Sequence, residues 1–316
     1  MIMLPILMYH QVEEIPIGTR HVGNYVLPEQ FDAQLTAISR WGYAPITLED
    51  WLDFRAGRRK APHRPTSGYL ESDRRPAMLM LPILMYHNVE EIPSGTQHIG
   101  NYVLPEQFDA QLTAISRWGY VPITLEDWLD FRAGRRKPPH RPIALTFDDG
   151  YLSNHDIAWP LLRRHGMTAT VFLVTDLIGG TNPSEVGERQ VPRLGPAEIG
   201  DMQSGGILFG SHTCTHGSLI DMQPTEAFLE LKRSRTILMA LLGRPVVTLA
   251  YPYNKQNSTV RALARKAGYQ AAVLGRGRAN SRWTNPRALM RIGVDAHTTV
   301  EALGHLLTKS RRLAGL

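Results

Sequence analysis

Residues 1–65 of this 316-residue chain recur as residues 78–142 at a constant offset of 77, with 58 of the 65 pairs identical. Two near-copies succeeded by unrelated sequence do not make a solenoid, which needs three or more diverged units with capping ends; they point to a recent duplication or to a gene-model accident. The copies differ in their downstream neighbours. Pro142 runs directly into Ile143-Ala-Leu-Thr-Phe-Asp-Asp-Gly150, whereas Pro65 runs into the polar, turn-rich stretch 66–76. Only the second copy is continuous with the rest of the chain. This assigns 78–316 as one complete domain, 66–77 as a linker, and 1–65 as a redundant half-unit without a sheet of its own. Its strand could compete with its twin for one place in the fold, as in domain swapping.

From residue 78 onward, short apolar runs alternate with helical spacings. Strands are expected at 82–87, 143–147 and 168–174, with helices at 105–118, from the Thr124 cap to 131, and at 154–165. The pattern continues through strand 207–210, helix 224–242 stopped by Gly243, strand 246–251, helix 258–267 and strand 269–274. A last strand at 292–294 precedes a helix from Thr299, for which Thr298 and Glu301 fit a capping box. Repeated β/α units imply a parallel sheet. Roughly seven strands favour a closed or partly closed (β/α) barrel over a doubly wound open sheet, and either places functional residues at the carboxyl ends of strands.

A 43% hydrophobic and 20% charged composition excludes a chain that is disordered throughout. The excess of 35 basic over 29 acidic residues falls in short runs such as Arg135-Arg136-Lys137, which read as a solvated face. No basic stripe interleaved with aromatics suggests nucleic acid. Cys214 is the sole cysteine, so an intrachain disulfide is excluded. The start lacks a basic leader region and a small-residue cleavage site, and no apolar run is long enough to span a bilayer, so the expected compartment is cytoplasmic. Nothing in the sequence indicates an oligomeric state.

Two motifs carry chemistry. Thr146-Phe-Asp148-Asp149-Gly150 sets adjacent carboxylates at a strand end, where two buried like charges require a cation or a shared proton. His212-Thr-Cys-Thr-His216 follows the strand 207–210 with two imidazoles one turn apart, able to share a metal that a nearby carboxylate completes. Cys214, in the middle of that turn, reads as a small buried residue. Taken alone, an exposed carboxylate pair and structural histidines are the competing readings.

The two motifs together, with Pro82-Ile-Leu-Met-Tyr-His87 before them and Ala250-Tyr251-Pro252-Tyr253 after them, resemble the polysaccharide deacetylase family, the NodB-homology carbohydrate esterases, across about 78–316. The resemblance implies a distorted (β/α) barrel, Asp149, His212 and His216 as metal ligands, and Asp148 as the base. It also implies a Tyr253 backbone N–H facing the oxyanion, with the Tyr253 ring beside the sugar. The implied cofactor is a divalent metal, zinc by default, with cobalt, nickel or iron also suited to the ligand set. The implied reaction is hydrolytic removal of acetyl groups from an N-acetylated glycan. Thr213 is expected to orient the turn, and Tyr251 to be a core aromatic.

The chain departs from the family twice. The arginine that tethers the catalytic aspartate in many relatives is missing from the third motif, where Ala250 and Tyr251 stand; Arg291 is the candidate replacement. The late block that supplies a general-acid histidine is also not present after Val273, and His297 is the nearest candidate. His87 could face the site rim but reads as a structural histidine. Competing functions are an amidase or O-acetyl esterase on another substrate, or a glycan-binding protein with a crippled site.

Overall fold

A computed structural model of the chain describes residues 80–313 apart from 95, 97, 182–189 and 276, together with the short strands Gln11–Val12 and Tyr25–Val26. Contacts divide the chain into two units, Met1–Arg74 and Arg75–Leu316. Apart from these two strands residues 1–79 lie outside the described residues, and with them the expected redundant half-unit and linker. Those strands pair in parallel with Gln11 opposite Tyr25, and Asn88 pairs with Tyr102 in the same register within the second unit.

The second unit is built on seven parallel strands: β1 (Ile83–Tyr86), β2 (Pro142–Phe147), β3 (Thr170–Leu173), β4 (Leu208–Ser211), β5 (Thr248–Ala250), β6 (Ala271–Gly275) and β7 (Leu289–Gly293). Each pairs with its successor in the chain, and β7 pairs back onto β1 through Ile292 opposite Leu84, so the sheet closes into a barrel. Helices α1 (Pro105–Arg117), α2 (Leu125–Arg132), α3 (Trp159–Arg164), α4 (Pro196–Ser204), α5 (Pro224–Leu242), α6 (Ser258–Ala267) and α7 (Val300–Leu313) connect or follow the strands.

Alternation along the strands sorts the side chains into two cores. Ile143, Leu145 and Phe147 of β2 join the larger cluster with Phe108, Leu112 and Ile115 of α1 and with Leu231 and Leu238 of α5. Ala144 has the opposite parity and joins Ile83, Phe172, Ala250, Val273 and Leu289 in a smaller cluster, where Leu125 and Trp128 of α2 pack. Small residues make that interior possible. A Cβ on Gly210 would sit 2.6 Å from the Phe172 ring and 2.5 Å from Thr248 Oγ1, closer than atoms pack, so Gly210 leaves room for Phe172 against β4.

Local chemistry explains where the elements depart from expectation. The helix expected at 154–165 opens with a π turn, Asn154–Ala158, before α3. Asn154 Nδ2 in that turn donates to His87 O at 2.8 Å, tying it to the end of β1. The last helix is capped by Thr299, whose Oγ1 accepts from Ala302 N at 3.2 Å; Thr298 instead pairs with Asp295 at 2.8 Å, so the Thr298–Glu301 box does not form. Periodicity does not predict helix α4. Pro196 opens it, and the Glu198 carboxylate accepts from Gly195 N at 2.9 Å. The final strand starts at Leu289, three residues before the expected 292–294, which brings Arg291 inside it.

Candidate active site

Asp148 continues the inward parity of Ala144 and Thr146 past the end of β2 and is 3% exposed. Its backbone N donates to Tyr86 O at 2.9 Å, holding it against β1. Strict alternation would point Asp149 outward, but φ of 71° there and 67° at Gly150 turns the chain back over the barrel mouth. Glycine suits the second position, where φ is left-handed and a Cβ would lie 2.5 Å from Leu173 Cδ2. The left-handed bend at Asp149 is braced from outside the motif. Arg193 Nη1 donates to Asp149 O at 3.1 Å while its guanidinium lies 3.7 Å over the Tyr151 ring.

At the end of β4 the chain makes a second unusual turn, with φ of 68° at Thr213 and 63° at His216. Thr213 closes it, its Oγ1 accepting from His216 N at 3.1 Å. His212 is buried and its Nδ1 donates to Ala250 O at 2.8 Å, which fixes the tautomer and leaves the Nε2 lone pair facing Asp149. His212 Nε2 lies 3.5 Å and His216 Nε2 3.4 Å from the same oxygen, Asp149 Oδ1. The two rings meet edge to face, with centroids 4.7 Å apart.

A lone pair and a carboxylate oxygen at that separation repel each other unless a cation lies between them. Two ligand atoms about 2.1 Å from one ion at the tetrahedral angle are about 3.4 Å apart, close to both separations. The ligand atoms of Asp149, His212 and His216 all lie within 4.8 Å of one another. Their nitrogen and oxygen donors fit a divalent metal. Cys214 is buried behind the turn, with its Sγ toward Glu230 O at 3.5 Å, and is not in this group.

Arg291, fully buried on the inward face of β7, grips Asp148 with both terminal nitrogens: Nη1 to Oδ1 at 2.6 Å and Nη2 to Oδ2 at 2.7 Å. Nη1 also reaches Thr146 Oγ1 at 3.3 Å. Burial pushes the Asp148 pKa up, but the Arg291 charge, the nearby His212 and the two hydrogen bonds from Arg291 outweigh it and hold the carboxyl ionised, well below the usual carboxylate range. For Asp149 burial likewise acts upward, and the neighbouring imidazoles and Arg193 bring the net shift downward. His216 is depressed to about 4, first by burial and then by the neighbouring His212. A neutral imidazole is the form that ligates metal.

Tyr253 sits at the rim, 61% exposed, with its ring 4.8 Å from the His216 ring and φ of 56°. Tyr251 is buried, its hydroxyl donating to Arg287 O at 3.0 Å, a core position. His297 is not brought to the site: it is exposed in the turn before α7, where its backbone N donates to Asp295 Oδ1 at 3.0 Å. His87 is brought there instead. The pairing of Tyr86 with Phe147 sets it beside Asp148; its Nδ1 is enclosed without a hydrogen-bond partner. Burial outweighs the upward pull of Asp149 and Asp148, so its pKa is lowered. The readable signal for His87 is its place at the carboxyl end of β1, level with the aspartates. Among the described residues the five non-glycine residues with positive φ are Asp149, Thr213, His216, Tyr253 and Asn254, so backbone strain concentrates at this mouth.

Residues 135–272 match the family model for polysaccharide deacetylase. That segment contains Asp148, Asp149, His212, His216 and Tyr253, and leaves His87, just after β1, and Arg291 on β7 outside it. YxkH of Bacillus subtilis, provisionally named a polysaccharide deacetylase, is 28% identical over 241 residues, covering 76% of this chain and 79% of its own. The poly-beta-1,6-N-acetyl-D-glucosamine N-deacetylase of Staphylococcus epidermidis is 27% identical over 206 residues, covering 59% of this chain and 69% of its own. The Streptococcus pyogenes deacetylase PplD, solved in complex with acetate, superposes with a TM-score of 0.64 at 25% identity over 72% of this chain and 98% of that one. Among the described residues no helix is long and apolar enough to cross a membrane. Barrel, motif segment and relatives agree: over this span the chain is similar to the polysaccharide deacetylases.

Proposed function

We propose that the chain is a metal-dependent hydrolase that removes N-acetyl groups from a glycan, with Asp149, His212 and His216 holding the metal and Asp148 as the base. The observation that carries this is one carboxylate oxygen flanked by two imidazole nitrogens at 3.4 and 3.5 Å, beside a second carboxylate that Arg291 holds ionised. When bound, a divalent cation supplies Lewis-acid stabilisation of developing negative charge and acidifies water. Zinc is the first choice for a site of two imidazoles and a carboxylate, and cobalt, nickel and iron share it.

The chain's own groups do the rest. Asp148 is ionised, fixed at both oxygens and 3.9 Å from His212 Nε2, so it takes the proton of the attacking water without leaving its place. Arg291 positions it, which is the work of the tether missing from the third motif. Asp148, having taken the proton of the water, returns it to the departing nitrogen, with His87 rather than the exposed His297 beside the two aspartates. The Tyr253 backbone N–H faces the oxyanion and its ring flanks the sugar. The name of the staphylococcal relative makes β-1,6-linked poly-N-acetylglucosamine the first substrate to try.

The test joins metal analysis of the purified chain to acetate release from that polymer, from chitin-type oligosaccharides and from O-acetylated glycans. About one divalent ion per chain and acetate from an N-acetylated glycan are expected. Release only from O-acetylated glycans would favour the esterase reading, and a metal-replete Asp148→Asn protein with the unaltered rate would overturn the mechanism.

A further inference from the structure

We infer that Glu230, on α5 and outside every motif above, is a positioning residue that shapes the turn between the two histidine ligands. The inference rests on the metal reading just proposed. Each backbone N–H from 212 to 217 has a hydrogen-bond acceptor. His212 N uses Leu173 O on the neighbouring strand, Thr213 N uses Ser211 Oγ, His216 N uses Thr213 Oγ1, and Gly217 N uses Thr215 Oγ1. The remaining two, Cys214 N and Thr215 N, both donate to a single oxygen, Glu230 Oε2, at 3.0 Å each.

Two successive N–H groups converging on one atom form a concave anion seat, and a carboxylate makes shorter and stronger bonds there than a neutral acceptor. The seat matters because the turn is strained. Thr213 and His216 adopt left-handed conformations that L residues avoid, and Cys214 and Thr215 lie between them. Ser234, one helical turn after Glu230, bonds through its Oγ to Ser211 Oγ at 2.8 Å, so one face of α5 holds both the entry and the middle of the turn. From the opposite side Thr175 N and Asp176 N donate to Thr213 O and Cys214 O at 3.1 and 3.0 Å. The imidazole spacing around Asp149 is thus set by a helix whose own side chains never reach the ligand atoms.

The experiment uses the full chain, stripped by a chelator and titrated with Co²⁺, comparing wild type with Glu230→Gln and Glu230→Ala. Circular dichroism and a thermal melt of each stripped protein establish that it is folded. Glu230→Ala is expected to bind Co²⁺ about 10–100-fold more weakly, with altered visible absorption of the bound ion. Glu230→Gln, which keeps one acceptor oxygen, should show a smaller loss, and the acetate-release rate of both should recover partly as metal is raised. If Glu230→Ala does not fold, Glu230→Gln decides. A folded variant with wild-type affinity and wild-type Co²⁺ spectrum overturns the role of Glu230 alone. A wild-type chain that binds no metal overturns both this inference and the functional reading beneath it.

Discussion

The two adjacent aspartates sit in opposite kinds of surroundings. Asp148 belongs to the barrel: it follows strand parity, is buried at 3% exposure, and is gripped from across the ring by an arginine that is itself fully buried. Asp149 belongs to the loops: its backbone is left-handed, its oxygen faces two imidazoles from another strand end, and its bracing comes from Arg193 on a connecting segment. One carboxylate is neutralised by the protein and the other is left with lone pairs for neighbours. On the function proposed above, a base must stay ionised but unligated and a ligand must lack an internal cation, so a single peptide step would divide the two tasks.

Removing the ligand side should have the largest effect. Asp149→Ala is expected to lose bound metal and to lower acetate release at least about 10³-fold; metal analysis before and after gel filtration checks it. If that variant keeps its metal, the division between the aspartates is wrong. Asp148→Asn should retain metal and lose about 10²–10⁴-fold in kcat, read by comparing turnover with metal content in the same sample.

Arg291→Met probes the grip itself. It leaves a buried carboxylate without its cation, at a cost of about 3–5 kcal/mol, measured by denaturant titration. Burial then dominates the Asp148 pKa and raises it, so activity should fall as pH drops through a range where wild type is still fully active. An unchanged acid limb would mean that Arg291 is only a strut.

The smallest expected effect is on the ligand side without metal. His216 titrates at about 4 in the folded chain against 6.5 for the free side chain, so the unfolded chain takes up its proton first as pH falls. The stability of the stripped protein should be unaffected by this group above pH 6.5 and decline between about 6.5 and 4, by at most about 3 kcal/mol. Melts at several pH values check the direction. His216→Asn should flatten that decline.

How much the sequence reveals depends on the range of the interactions involved. The ring of strands is legible because apolar runs and helical spacings are local, and the aspartate pair and His212 and His216 are legible because each motif lies within a few residues. Arg291 is harder to read. Its contact with Asp148 depends on β7 pairing with β1 and β1 with β2, through Ile292 opposite Leu84 and Met85 opposite Thr146; no local pattern encodes that, and Arg291 can be nominated only because the third motif lacks its arginine. His87 reads as structural for the same reason, since its neighbours arrive from β2 and β4. Thr299 displaces Thr298 as the cap because Asp295 competes for the Thr298 hydroxyl, a choice that spacing alone does not disclose.

The closing contact of β7 on β1 also dictates an order of events during synthesis. Residues 80–275 supply six of the seven staves, yet the guanidinium that neutralises Asp148 leaves the ribosome later, with residues 289–293. Until then the barrel has an open seam and a carboxylate that burial disfavours, so packing around β2 cannot become final. Nearly the whole span of the unit must be made before its first and last strands meet, which is the arrangement that slows folding most. Nascent chains halted before residue 289 should therefore remain protease-sensitive around Asp148, and resistance should appear in one step when the last stave docks.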